Sequence, residues 1–89
     1  MTHVHLIGIG GSGLSAIARL LLESGYSVSG SDRTPSQLAQ ELAAVGATIF
    51  VGHAGENIQG ADLVVRSSAI PDANPEVQAA LAAGIPVLK

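Results

Sequence analysis

The residues best placed to do chemistry are Gly8, Gly10, Gly11, Ser12 and Gly13, which follow the apolar run Val4-His5-Leu6-Ile7 at once. Helix-like periodicity begins at Leu14. A strand that feeds Gly-x-Gly-x-x-Gly into a helix can hold a phosphate or pyrophosphate. The free N–H groups of the first helical turn point at the anion, and the helix dipole adds roughly 0.3–1 kcal/mol. In that arrangement Gly8 allows the tight turn off the strand. Gly10 lets a pyrophosphate approach the backbone, and Gly13 lets the helix pack closely on the strand. Asp32 ends the next strand-like run, Tyr26 to Asp32, at the spacing where an acid accepts hydrogen bonds from a ribose. Without a ligand, the same residues make a sharp strand–helix turn beside a solvated aspartate.

Other polar residues carry weaker signals. Ser67 and Ser68 follow the run Leu63 to Arg66 and could donate to phosphate or sugar oxygens, or merely cap the next turn. His53 lies in the loop Gly52 to Gly60 and reads either as a ligand contact or as a simple loop residue. Arg66 could pair with a phosphate or be a solvated strand end. Arg33 could stack on a base, although an exposed arginine is the commoner case. His3 and His5 begin the first strand, at the end opposite the glycine loop, and read as surface or partly buried histidines. No second set of ligands lies near them at metal-binding spacing. Glu41, Glu56, Asp62, Asp72 and Glu76 read as solvated or helix-end charges.

The elements that must position these residues alternate along the chain. Strands are expected at Val4 to Ile7, Ser27 to Gly30, Ala47 to Val51, Leu63 to Arg66 and Pro86 to Leu88. A helix from Leu14 to Glu23 should turn Ile17, Leu20, Leu21, Ala16 and Ala18 toward the sheet and stop at Gly25. Thr34 and Pro35 are expected to open a second helix, through Leu38, Leu42 and Val45 to Gly46. Asn74 and Pro75 should open another that runs to Ala83. The loop after Val51 has room for one helical turn. This alternation predicts an α/β fold: a doubly wound, Rossmann-like, five-stranded parallel sheet in the order 3-2-1-4-5, with helices on both faces. The switch point then lies between strands 1 and 4. The loops at Gly8 to Gly13, Ser31 to Arg33 and Ser67 to Asn74 converge there.

Composition narrows the field. With 47% hydrophobic and 12% charged residues in 89, the chain should form one small folded domain rather than a disordered segment. A net charge of −3 and only Tyr26 and Phe50 as aromatics leave no basic patch or stacking platform, so no nucleic-acid partner is expected. The absence of cysteine excludes disulfides and thiolate chemistry. No apolar run approaches the ~20 residues that span a membrane, and no signal-type segment opens the chain, so a cytoplasmic protein without membrane contact is expected. The chain closes at Lys89, just after the fifth strand, and is expected to be part of a longer protein.

The run Gly8-Ile9-Gly10-Gly11-Ser12-Gly13-Leu14-Ser15-Ala16-Ile17-Ala18 resembles the opening of the Mur ligases. Gly30-Ser31-Asp32, Gly46-Ala47-Thr48-Ile49, Ser67-Ser68-Ala69-Ile70 and Asn74-Pro75-Glu76 agree in order, so the resemblance covers the whole chain. Leu14 stands where the family usually has methionine, a swap that conserves volume. The resemblance implies the N-terminal domain, residues 1–89, of a three-domain enzyme of peptidoglycan synthesis. Such a domain binds the UDP part of UDP-N-acetylmuramate. ATP and Mg²⁺ belong to the central domain, and the C-terminal domain helps to bind the amino acid. ATP phosphorylates the muramate carboxylate, and the amine then attacks the acyl phosphate. The family's ATP loop, Gly-x-x-x-x-Gly-Lys-Thr, does not occur here, and Lys89 is the only lysine. The chain alone is therefore expected to bind substrate and catalyse nothing, with no cofactor or metal of its own.

Carried over position by position, the resemblance implies a UDP-sugar site at Gly8, Gly10, Gly11, Ser12 and Gly13 for the pyrophosphate, with Asp32 facing the uridine. His53 would border the uracil, Ser67 and Ser68 would meet phosphate or sugar oxygens, and Ala69 and Ile70 would pack on the nucleotide. The doubled glycine and Ser-Ser-Ala-Ile favour the members that add L-alanine over those that attach recycled tripeptide. On the residues alone, two other readings stay open. The loop and Asp32 suit NAD nearly as well, as in an oxidoreductase domain. They also suit a nucleotide-sensing regulatory module.

Overall fold

The computed structural model describes residues 2–34 and 36–89. Strands β1 (His3–Ile7), β2 (Ser27–Asp32), β3 (Thr48–Val51), β4 (Leu63–Arg66) and β5 (Val87–Leu88) form one parallel sheet in the order β3-β2-β1-β4-β5. Helices α1 (Ser12–Glu23), α2 (Gln37–Ala44) and α3 (Pro75–Ala82) and a 3₁₀ turn at Gly55–Ile58 connect them. The expected strand order is the observed one, and β4 has its expected bounds.

The two-residue period of β1 builds a core on each face of the sheet. Val4 and Leu6 join Val28 beneath α1 and α2, with Leu14, Ala18, Ala39 and Leu42. Ile7 joins Val64 on the other face, with Ile58, Val77 and Ala80. Complete burial of side chains such as Leu6 and Ile7 contributes roughly 1.5–3 kcal/mol each.

Several local expectations change. On α1 the buried residues are Leu14, Ser15 and Ala18. Leu21 and Leu22 are partly buried behind them. Ile17 and Leu20 are 43% and 65% exposed, and Ala16 is exposed too, so these three do not face the sheet. Leu14 sets the phase of the stripe, because it packs as soon as the chain leaves the glycine loop. The cap of α2 is Ser36 rather than Thr34; Ser36 Oγ accepts from Ala39 N at 3.1 Å. Pro35, expected as the first helical residue, lies outside the described residues. The α3 start is as expected: Asn74 Oδ1 accepts from Glu76 N at 2.8 Å, with Pro75 as the first helical residue. Among the described residues no helix is long and apolar enough to cross a membrane.

Candidate functional site

The glycine loop is held by β2. Gly8, at φ +87°, turns the chain off β1. Gly8 N and Ile9 N both donate to Ser31 O, at 2.8 and 3.1 Å, and Gly11 N returns to Gly8 O at 3.0 Å. Gly10 N donates to Asp32 Oδ2 at 2.8 Å, while Asp32 Oδ1 accepts from Arg33 N at 2.9 Å. Each carboxylate oxygen keeps a lone pair for a further donor. Helix α1 then starts without a side-chain cap, since its N-cap is Gly11. Ser15 N is the first to bond back, to Gly11 O at 2.8 Å. The N–H groups of Ser12, Gly13 and Leu14 therefore lack an intrahelical acceptor.

Two glycines have roles other than those expected. A Cβ on Gly10 would fall 2.6 Å from Asp32 Oδ2 and from Ser36 Oγ, so the bare backbone here first admits the chain's own side chains. A Cβ on Gly13 would meet nothing within 4 Å. Gly13 is thus not a close-packing glycine. Its open side borders a cleft.

Two clefts flank the switch point. One, of about 500 Å³, lies between Gly11–Leu14 at the start of α1 and Arg66–Ser68 at the end of β4, with Lys89 at its rim. The other, of about 380 Å³, is bounded by Asp32, Arg33, His53, Ala69, Ile70 and Pro71. The segment Ser67–Ile70 serves both: its serines line the first and its apolar pair lines the second. Ser67 also caps its own turn, with Oγ accepting from Ala69 N at 3.3 Å. Ser68 is exposed.

The first cleft suits an anion. It combines the open N–H groups of α1 with Arg66 and Lys89. The Arg66 side chain, 11% exposed, sits 2.5 Å from Asp72 Oδ1, so it is neither free nor fully solvated. The hydrogen bond and charge of Arg66 hold the Asp72 carboxyl below its usual range. The second cleft offers acceptors, Asp32 and His53, beside an apolar wall. All of the residues expected at a UDP-sugar site lie on this one edge of the sheet: the β1–α1 loop, the end of β2, and the loops after β3 and β4.

Glu76, expected as a solvated or helix-end charge, does lie in the first turn of α3 but is fully buried, and so is His5, expected at the surface or partly buried. His5 Nε2 meets Glu76 Oε1 at 2.5 Å, and Ser31 Oγ donates to the same oxygen at 2.6 Å. Glu76 Oε2 accepts from Ala54 N and Asn57 Nδ2, both at 3.1 Å, and lies 3.3 Å from His53 Nδ1. His53 Nδ1 is also 2.9 Å from Ser31 Oγ. On the far side, Ser29 Oγ joins His5 Nδ1, at 2.7 Å, to His3 Nε2, at 2.9 Å. Burial works to raise the Glu76 pKa, but hydrogen bonds from His5, Ser31 and Asn57 and the charge of His5 outweigh it, and the carboxyl falls to about 2. Burial is also the main influence that lowers the His3 pKa; the charge of His5 adds to it and that of Asp62 opposes it. Sequence reasoning missed this network. Its signal was the polar alternation Ser27-Ser29-Ser31 beside His3 and His5, on strands otherwise expected to be apolar.

A parallel sheet in this order, with a glycine loop and an acid at its switch point, defines a Rossmann-like α/β domain. The model of the Mur ligase family, catalytic domain, matches residues 3–89, and the chain belongs to that family. It is 57% identical over 86 residues to a UDP-N-acetylmuramate–L-alanine ligase of Desulfosudis oleivorans, covering 97% of this chain and 19% of that protein. The UDP-N-acetylmuramate-alanine ligase of Thermotoga maritima superposes with a TM-score of 0.95 at 34% identity, over 99% of this chain and 20% of that one. The UDP-N-acetylmuramate:L-alanyl-gamma-D-glutamyl-meso-diaminopimelate ligase of Neisseria meningitides gives 0.87 at 30% identity, over 99% and 28%. The chain spans about a fifth of the length of the curated relatives it matches.

Proposed function

We propose that this chain binds the UDP part of UDP-N-acetylmuramate, as the N-terminal domain of a cytoplasmic, ATP-dependent ligase that joins L-alanine to the muramate carboxylate. The observation that carries this reading is the pair of clefts joined by Ser67–Ile70. A diphosphate suits the first, where the N–H groups of Ser12, Gly13 and Leu14 and the hydroxyl of Ser68 can donate. A nucleoside suits the second. There Asp32 accepts from a ribose hydroxyl, His53 borders the base, and Ala69 and Ile70 pack on it. The work of this chain is to bind and orient. ATP, Mg²⁺ and L-alanine are handled by the rest of the full-length enzyme, where ATP would supply the phosphoryl group that activates the muramate carboxylate and leave as ADP. The names of the relatives support this reading, and identity of 54–57% to alanine-adding ligases favours alanine over a tripeptide.

Calorimetric titration of the chain with UDP-N-acetylmuramate and with NAD, at one salt concentration, tests the proposal. Tighter binding of the UDP-sugar is expected. Tighter binding of NAD would favour an oxidoreductase domain instead.

A further inference from the structure

The hydrogen positions around Glu76 follow from counting donors. A carboxylate only accepts, so the single proton of Ser31 Oγ goes to Glu76 Oε1 at 2.6 Å. Ser31 Oγ must then accept from its other neighbour, His53 Nδ1, at 2.9 Å. The second Glu76 oxygen, 3.3 Å from the same nitrogen, also requires a proton there. A neutral His53 is therefore the Nδ1–H tautomer, and its Nε2 carries a lone pair. Among the described residues His53 Nε2 makes no hydrogen bond, and it is not one of the buried side-chain atoms left without a partner. His53 Nε2 is thus open, and His53 lines the nucleoside cleft.

We propose that Glu76 is a positioning residue: it holds His53 as the Nδ1–H tautomer, so that Nε2 accepts a hydrogen bond from the imide N–H of a uracil base. The inference rests on the UDP-binding reading above. The sheet order supplies the direction. With phosphates over the start of α1 beside β1, and the ribose at Asp32 on the end of β2, the base lies outward toward the end of β3, where His53 stands. Uracil presents N3–H at its pairing edge. Cytosine presents a bare N3, which would set lone pair against lone pair. Four segments of the chain converge on Glu76: β1 through His5, β2 through Ser31, and the loop after β3 through Ala54 and Asn57, with α3 carrying the carboxylate. The tautomer is therefore set by the fold before any ligand arrives.

Nitrogen-15 spectra of the histidine rings in the free chain should show His53 Nδ1 protonated and Nε2 bare. A protonated Nε2 in the neutral ring overturns the inference without any variant. Addition of UDP should shift the Nε2 resonance, and UDP should bind roughly tenfold or more tightly than CDP. Glu76→Gln places an amide NH₂ where only acceptors fit, and should bring the UDP/CDP ratio close to one; His53→Ala should do the same. A purely structural Glu76 would weaken both ligands alike and leave the ratio unchanged, which overturns the inference. Equal affinity for UDP and CDP in the wild-type chain overturns it too, and leaves the proposed function standing. No binding of UDP at all overturns the proposed function and the base contact with it.

Discussion

Glu76 and His5 meet at 2.5 Å with both side chains fully buried, although 71 residues separate them in the chain. The contact joins the first turn of α3 to the central strand. A buried carboxylate with this many donors is stable only while all of them are present. Glu76→Ala should cost about 3–5 kcal/mol, as for other broken buried pairs. That is a large share of the ~4–13 kcal/mol typical of a domain of 89 residues. Urea unfolding of the variant beside the wild type measures it; a loss below about 1 kcal/mol would contradict this role.

Acid should unfold the domain in a defined window. The folded Glu76 carboxyl titrates at about 2, against an ordinary value of 4.5. Between those values the unfolded chain binds more protons, so stability falls as pH falls. The contribution is complete above pH 4.5 and disappears toward pH 2, with a size on the order of 3 kcal/mol. Unfolding free energies measured from pH 6 to pH 2 should show that slope, and Glu76→Gln should flatten it.

Gly13→Ala separates folding from binding. The added Cβ meets nothing within 4 Å and sits in the first turn of α1. Alanine should therefore stabilise the fold by up to roughly 0.5–1 kcal/mol. The same Cβ borders the anion cleft and should weaken UDP-N-acetylmuramate binding. Thermal melts and calorimetry on one preparation read both effects. Gly10→Ala should behave differently, because its Cβ lands 2.6 Å from Asp32 Oδ2 and strains the loop even without ligand.

Ser68→Ala tests the anion cleft from its other wall. Ser68 is exposed and lines that cleft, so its loss should leave stability within about 0.5 kcal/mol. Loss of a hydrogen bond to a sugar or phosphate oxygen costs about 0.5–1.5 kcal/mol, or up to 3 where the acceptor is charged. Binding of the UDP-sugar should weaken roughly threefold to a hundredfold. Unchanged affinity in calorimetry would remove Ser68 from the site.

Much of the architecture is local and was legible. Alternation of apolar runs with helical periodicity yields the parallel sheet, and Asn74-Pro75 marks the start of α3 to the residue. The gathering of the candidate-site loops on one edge follows from topology, since loops after parallel strands must emerge on one side. What the residues hid depends on partners distant in the chain. Leu20 and Ile17 look as buriable as Leu21, and only the docking of Leu14 decides which stripe faces the sheet. An acid in the first turn of a helix reads as a partner for the helix dipole. Glu76 is instead buried because His5 and Ser31, 71 and 45 residues away, stand beneath it.

The seat of Ile9 shows where the shape of the glycine loop is stored. Ile9 is completely buried, and a Cβ built on Gly30 would fall 2.6 Å from the Ile9 Cβ. Together with the bonds to Ser31 O and Asp32, this means that β2 moulds the loop leaving β1. The glycine-loop motif is thus not a transferable cassette. Grafted onto another doubly wound sheet, Gly8–Gly13 would keep its shape only if the recipient's second strand carried a glycine at the matching register, followed by the aspartate that receives the Gly10 amide.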